Sequence, residues 1–376
     1  MFHDQRELQQ IIPARAKKKL TVHELETFDT DCWDEEKIDG ERYLIHSSVG
    51  GPYPHACTSR RLSEVTGRMV EKTDRVPHLM NLSLPSNSLF DNEFVSSGDI
   101  VKVDLPGHLW DKMVKDQGGK FISSLGYLPA YPHVGNTVSI MGSLGAEAVR
   151  KQEERGPIWS YCFDILQYEG RWVTHNTQRA RRKFLAQLFE NIDPKSGFIL
   201  MPRWEGLTRE ERILLYTLIT DVRGEGLILK DPTKPYDAAS NWYKVKLDFP
   251  VDCVLTGRTK EGKAGVTGKM LGLVGSLEIG VYVNNTLIPV GWMSAIMDSE
   301  ANLPYITQLA REGKLRGMVY ECRHNGLQDD PTAPLGFTLR HPRHRRPRED
   351  KNATDCTLSA LLNECASKAE YAKYNK

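Results

Sequence analysis

The string Lys37-Ile38-Asp39-Gly40-Glu41-Arg42 constrains this chain more than any other part of it. From Cys32 to about Ile45 apolar and polar residues intermingle around it, which reads as a strand, a tight turn at Asp39-Gly40 and a second strand. A lysine at such a strand end is presented to one place. To attack a phosphate its amine must be neutral, against a free pKa near ~10.4, so a nucleophilic role demands neighbours that disfavour the proton. Arg42 adds a planar donor fork suited to a phosphate or a ribose edge. An exposed hairpin could carry the same letters, so the string takes its meaning from the motifs downstream of Arg42.

With 376 residues, 40% of them hydrophobic and 26% charged, the chain has room for two domains with separate cores. A net charge of +1 argues for no polyanionic partner, but the basic residues are clustered: Lys17 to Lys19, Arg60-Arg61, Arg179 to Lys183 and Arg340 to Arg348. Each cluster alone reads as a solvated face; together they point to a polyanion. The seven scattered cysteines form no C-x-x-C pair, which argues against structural zinc and disulfides and for a reducing, intracellular setting. No apolar leader or membrane-length run is present, so no membrane partner is expected.

Along the chain, residues 1–30 read as a polar, basic lead-in and 51–58 as a loop. Strands are expected at Leu89 to Val95, Ile158 to Leu166, Gly226 to Lys230 and Trp242 to Leu247. Helical spacing marks Thr177 to Ile192, with Thr177 as N-cap, and Thr208-Arg209-Glu210-Glu211 has the form of a capping box. Composition changes near Asp248-Phe249-Pro250. Short strands come after it (Val251 to Leu255, Leu271 to Leu277, Ile279 to Val283, Met318 to Arg323), the texture of a small antiparallel barrel. We expect domains at 1–247 and 248–350 and a polar tail at 351–376 with a short helix around Leu358 to Cys365.

Further pieces succeed Lys37 in order: Ser59-Arg60-Arg61, Asp91-Asn92-Glu93, Phe163-Asp164-Ile165-Leu166, Glu225 to Lys230, Trp242 to Lys246, and Leu339-Arg340-His341-Pro342 running to Asp350-Lys351. This ordered set resembles the covalent nucleotidyltransferase superfamily of ATP-dependent DNA ligases, RNA ligases and mRNA capping enzymes. The last piece resembles the closing motif of the ATP-dependent DNA ligases, and the compact build resembles phage or viral members. The resemblance runs from about Glu35 to Lys351. Asn92 stands where the family has glycine, and His344 where an aromatic or apolar residue is usual.

The resemblance implies an α+β fold: an adenylyltransferase (ATP-grasp-like) domain of antiparallel sheets with flanking helices, then a C-terminal OB-fold β-barrel. It implies that Lys37 takes AMP from ATP, that Glu93 and Glu225 hold magnesium or manganese, and that Phe163 stacks on the adenine. Glu35 helps read the adenine edge and Arg60 lies near the triphosphate and the nicked strand; Arg42 suits a phosphate or ribose edge, and Lys244 and Lys246 would draw charge off the α-phosphate. Arg343, Arg348, Asp350 and Lys351 orient pyrophosphate. The expected partner is nicked double-stranded DNA, bound by a monomer without a large N-terminal DNA-binding domain. Lys17 to Lys19, Arg60, Arg179 to Lys183 and the 258–269 loop are candidate phosphate contacts. The alternatives are an RNA ligase or capping guanylyltransferase on the same core, or a non-catalytic nucleic-acid-binding protein.

Overall fold

The computed structural model describes residues 16, 18–28, 30–48, 52–63, 66–132, 134–236, 242–262, 272–295, 302–365 and 368–375. Lys17 and residues 263–269, both candidate phosphate contacts, lie outside them. The chain divides into two compact units, Met1–Lys246 and Leu247–Lys376.

The described strands of the first unit begin with β1 (Lys18–Leu20), β2 (Trp33–Glu36), β3 (Glu41–Ser47), β4 (His55–Leu62), β5 (Met69–Glu71) and β6 (Leu89–Ser96). They continue with β7 (Val101–Val103), β8 (Leu128–Ala130), β9 (Ile158–Tyr168), β10 (Arg171–Trp172), β11 (Phe198–Leu200), β12 (Gly226–Lys230) and β13 (Trp242–Lys246). A four-stranded sheet has the order β1-β13-β12-β2, and a seven-stranded sheet the order β10-β9-β6-β3-β4-β5 with β11 beside β9. Pairing is antiparallel except for β1–β13 and β11–β9. The architecture is therefore mixed α+β with mainly antiparallel sheets.

The segment read as strand, turn and strand is not a hairpin. β2 pairs with β12 in one sheet, whereas β3 pairs with β4 and β6 in the other, so residues 37–40 carry the chain between sheets. Gly40 makes that crossing fit: a Cβ there would lie 2.4 Å from the Phe94 carbonyl oxygen and 2.9 Å from Glu93 Cγ. No side chain can occupy that gap without moving β6.

Strand alternation sorts the core. Along β9, Cys162 joins a cluster with Phe90, Leu185 and Phe198, while Tyr161 and Phe163 join another with Leu44, Leu89 and Trp242. Each such aromatic or branched side chain contributes roughly 1.5–3 kcal/mol on burial. The helix Gln178–Phe189 begins at Thr177, whose Oγ1 accepts from the Ala180 N–H at 3.3 Å, and Arg209–Asp221 opens with a capping box between Thr208 and Glu211.

In the second unit, β14 (Phe249–Glu261), β15 (Val274–Val283), β16 (Thr286–Ser294) and β17 (Val319–His324) join β20 (Arg343–Pro347) in the order β16-β15-β14-β17-β20. β18 (Leu327–Asp329) pairs separately with β19 (Phe337–Leu339). The two strands expected across 271–283 are one, with a bulge in its pairing to β16 at Ile279/Gly280. The expected loop 51–58 gives way to β4 at His55. The tail is not loose: Leu358, Leu361 and Leu362 of the helix Leu358–Cys365 sit in this unit's core, joined by Tyr374 from a further helix, Lys368–Tyr374.

Candidate active site

A pocket of about 360 Å³ opens in the first unit around Lys37. It is bordered by Glu35, Arg42, Arg60, Glu93, Phe163, Glu225 and Lys244, together with Ile228, Lys230 and Trp242. Lys246, two residues beyond Lys244 on the same side of β13, does not border it. Arg343, Arg348, Asp350 and Lys351 belong to the second unit.

Sheet register explains the grouping. Glu35 lies opposite Ile228, and Ile228 opposite Lys244. Directly opposed residues share a face, and the period of two adds Lys230 and Trp242 to it. Glu36 borders both this pocket and a small cavity with Tyr161 and Trp204, and burial pushes its carboxyl well above the usual range.

Lys37 follows the end of β2, its N–H donating to the Gly226 carbonyl at 2.8 Å. Gly226 permits that approach with φ at 128°. The Lys37 amine is ion-paired to the Glu225 carboxylate. Its immediate partner is thus an acid, where the sequence led us to stress the cations of β13. Glu93 stands close by: burial raises its carboxyl to about 8, against the opposing pull of Lys37 and Arg42 and with the repulsion of Glu225. Two partly buried acids beside one amine form a place that favours added positive charge. Among the described residues no group of three or more His, Cys, Asp or Glu is placed to hold a metal.

Asn92 leaves β6 a strand at this point. Its Nδ2 donates to the Phe90 carbonyl at 3.0 Å, and the register with β9 shifts between Asp91 and Asn92. Arg42 reaches the pocket, but its fork is largely engaged. Nε donates to Asp91 Oδ1 at 2.7 Å, Nη2 donates to Asp91 Oδ2, and Nη2 also donates to the Tyr236 hydroxyl at 3.1 Å. Tyr236 in turn donates to Asp91 at 2.6 Å. The guanidinium lies over the Phe163 ring, 5.0 Å from its centre.

Phe163 is both core and pocket wall. It is 8% exposed and meets Trp242 edge-on with ring centres 5.9 Å apart. Asp164, on the opposite face of β9, accepts from Arg181 Nε at 2.7 Å and Nη2 at 3.0 Å with both side chains fully buried. Arg182 is buried too and pairs with Asp116. The Arg179 to Lys183 cluster is therefore split: Arg181 and Arg182 hold β9 and its neighbours, while Arg179 and Lys183 are exposed. The sequence reading missed this because burial of an arginine has no local signature.

In the second unit, Arg343 donates to Asp248 at 2.7 Å and Asn325 at 3.0 Å. Asp252 accepts from Arg348 at 3.0 Å and Lys351 at 2.7 Å. Arg348 also holds Asp350, whose carboxyl it lowers to about 2. His344 packs against Tyr320 with ring centres 5.1 Å apart, so an aromatic contact survives the substitution.

Lys230, Trp242 and Asp91 lay within the quoted motifs without a role, and Tyr236 lay outside them. Lys230 had a readable signal: in Gly226 to Lys230, alternation sends Leu227 and Leu229 one way and Ile228 and Lys230 the other.

Residues 13–246 match the family model described as the ATP dependent DNA ligase domain. The probable DNA ligase of Streptomyces coelicolor is 25% identical over 344 residues, covering 87% of this chain and 58% of that protein. The DNA ligase of Methanoculleus marisnigri is 25% identical over 343 residues, covering 87% and 53%. This chain spans about half the length of these curated relatives. A solved Lig E DNA ligase chain superposes with a TM-score of 0.53 at 16% identity, covering 90% of this chain and 100% of that one, a likeness of fold. With its family match extending over most of the first unit, the chain belongs to the ATP-dependent DNA ligase domain family.

Proposed function

We propose that this chain seals 5′-phosphate/3′-hydroxyl nicks in duplex DNA at the expense of ATP. The observation that carries the reading is the amine of Lys37 set in a pocket between Glu225 and Glu93, beneath the Phe163 wall. In the first step the Lys37 nitrogen, having lost a proton, bonds to the α-phosphorus of ATP and pyrophosphate leaves. In the second, the P–N bond breaks as the 5′-phosphate oxygen of the nick takes the AMP. In the third, the 3′-hydroxyl bonds to that 5′-phosphorus, loses its proton, and AMP leaves. Splitting the transfer this way conserves the energy of the anhydride until the DNA ends are aligned.

Glu93 and Glu225 would hold magnesium or manganese, an ion that keeps water or phosphate oxygens as its remaining ligands. Such an ion supplies charge neutralisation at the reacting phosphate. Lys244 and Arg60 border the same pocket and would steady the phosphates, while Glu35 and Phe163 would bind the base. Lys246 would act with Lys244 along the same strand face. Arg343, Arg348, Asp350 and Lys351 would orient the departing pyrophosphate, and the second unit would act as an OB-type module on DNA. No helix among the described residues is long and apolar enough to cross a membrane. The named relatives are DNA ligases, which does not favour the RNA ligase or capping alternative.

A nick-sealing assay with ATP, with NAD and with neither tests the reading. Sealing with ATP alone is expected, with AMP label retained on the protein through denaturing gel electrophoresis. Sealing with NAD, or no label on the protein from ATP, would overturn it.

A further inference from the structure

Asp252 is an acid placed where strand pairing disfavours one. It lies on β14 directly opposite Glu321 of β17. Like charges set across an antiparallel pair repel, so this register is unfavourable unless cations cover both acids. The closing segment, Leu339 to Lys351, covers them. Glu321 accepts from Arg346 Nε at 2.8 Å. Asp252 accepts from Arg348 Nη1 at 3.0 Å on each oxygen and from Lys351 Nζ at 2.7 Å on Oδ2.

The two cations on Asp252 are not alike. Arg348 uses its fork within the second unit: Nη1 meets Asp252, while Nε and Nη2 donate to Asp350 at 2.8 and 2.9 Å. A planar guanidinium held between two carboxylates braces them and has little left to offer a ligand. An ammonium has three donors, and Lys351 gives one of them to Asp252 with its side chain 28% exposed. That bond raises the lysine pKa, so the group stays charged. The backbone is pinned on either side. The Arg348 N–H donates to the Val319 carbonyl at 2.9 Å, and the Tyr282 N–H to the Cys356 carbonyl at 2.7 Å. Lys351 thus has a fixed root, a fixed charge and donors to spare.

We propose that Asp252 is a positioning residue for nucleotide activation: it aims the Lys351 ammonium at pyrophosphate, while Arg348 acts through Asp252 and Asp350 rather than on the phosphates. The inference rests on reading the closing segment as the group that orients pyrophosphate. It assigns which cation of that segment meets the anion, and which acid, from outside the segment, sets it.

The test uses the full chain, loaded with AMP by excess ATP and pyrophosphatase, and runs the first step backwards. A pyrophosphate oxygen bonds to the α-phosphorus, the P–N bond to Lys37 breaks, its nitrogen takes up a proton, and ATP is released. Release is followed against pyrophosphate concentration. For Asp252→Asn we expect half-saturating pyrophosphate to rise about tenfold or more, with a smaller change in the saturating rate. Lys351→Ala should show at least that rise, and Asp252→Glu should recover part of it. On the Lys351→Ala background, neither Asp252→Asn nor Arg348→Ala should add more than about twofold, because both act through the missing amine. Joining of a nick already carrying AMP on its 5′-phosphate involves no pyrophosphate, and Asp252→Asn should leave it within about threefold. Full additivity with Lys351→Ala, or equal loss in both reactions, would reduce Asp252 to a structural role and overturn the proposal. Should Asp252→Asn fail to fold by circular dichroism, Asp252→Glu is read instead: a rise of about threefold or more supports the proposal, and wild-type dependence overturns it. If Lys351→Ala and Arg348→Ala both keep the wild-type pyrophosphate dependence, the reading of the closing segment itself falls. If Lys351→Ala loses it and Asp252→Asn does not, only the role of Asp252 falls.

Discussion

The amine of Lys37 is engaged by the carboxylate of Glu225, tying the crossing from β2 to β3 to the residue that immediately precedes β12. The pair fixes the position of the proposed nucleophile, and under the proposed function Glu225 would serve two positive partners, Lys37 and a metal ion. Glu225→Gln keeps the size and loses the charge. We expect it to lower the rate of lysine adenylylation by about 10²–10³-fold, the cost of removing one charge-stabilising group from such a site. Lys37→Ala should abolish labelling altogether. Quantifying protein-bound label from ATP after denaturing gel electrophoresis checks both; a variant lacking Lys37 that still acquires label would refute the nucleophile.

Gly40 offers a sharper geometric test. A methyl group at this position meets the Phe94 carbonyl oxygen at 2.4 Å and Val95 Cγ1 at 2.8 Å, on the strand that carries Glu93. Gly40→Ala must therefore push β6 and the crossing apart. We expect a loss of stability of about 1–3 kcal/mol, typical of overpacking, with adenylylation reduced by at least about tenfold because Glu93 and Lys37 move with the two segments. Urea unfolding and labelling kinetics measure the two effects. A variant with wild-type stability would show that the segments can part freely.

Arg42 tests how a pocket residue can serve the fold. Its partner Asp91 is fully buried, and the pair is closed by Tyr236. Arg42→Ala leaves that carboxylate uncompensated, at a cost of about 3–5 kcal/mol. Arg42→Lys cannot reproduce the two parallel bonds and should recover little. Arg42→Ala/Asp91→Asn should be less damaging than the sum of the single changes. A double-mutant cycle on unfolding free energy checks this, and strict additivity would argue against the coupled network.

Legibility in the sequence tracked the range of the signals. Thr177 and Thr208 marked their helices because capping is local, and β9 announced itself by an aromatic, β-branched run. The order of motifs brought Lys37, Glu93, Phe163, Glu225 and Lys244 to one pocket. The long-range facts escaped. The Asp39-Gly40 turn looks the same whether the next strand returns to its own sheet or crosses to another. Arg181 and Arg182 look like surface charge until Asp164 and Asp116 are placed beside them. Leu358, Leu361 and Leu362 were readable as a helix face, but nothing local said which core would take them.

His324 gives the second unit a pH dependence. It is fully buried in β17, with Nδ1 3.0 Å from the Gly326 carbonyl oxygen and Nε2 without a partner. Burial holds its pKa down to about 4. The unfolded chain takes up this proton near pH ~6.5, before the folded one does. Stability is therefore greatest above pH ~6.5 and falls as the pH drops toward 4, by up to roughly 3 kcal/mol. His324→Asn, which retains a polar atom near Nδ1, should flatten that slope. Urea unfolding between about pH 7 and pH 4.5 tracks it, and an unchanged slope in the variant would assign the acid sensitivity elsewhere.

The split basic cluster separates candidate DNA contacts from residues that hold the fold. Arg179 and Lys183 are exposed on the helix Gln178–Phe189, whereas Arg181 is fully buried against Asp164. A phosphate contact releases counterions, so each one lost reduces the slope of log affinity against log salt by about 0.9. If both exposed residues touch the duplex, Arg179→Ala/Lys183→Ala should weaken nick binding at low salt, lower that slope by up to about 2, and leave stability within about 0.5 kcal/mol. Arg181→Ala should do the reverse, lowering stability by about 3–5 kcal/mol through the abandoned Asp164 charge while the folded fraction keeps its salt slope. Fluorescence anisotropy on a nicked duplex across a salt series reads the slopes. A slope unaffected by the exposed pair would move the electrostatic grip to another face of the protein.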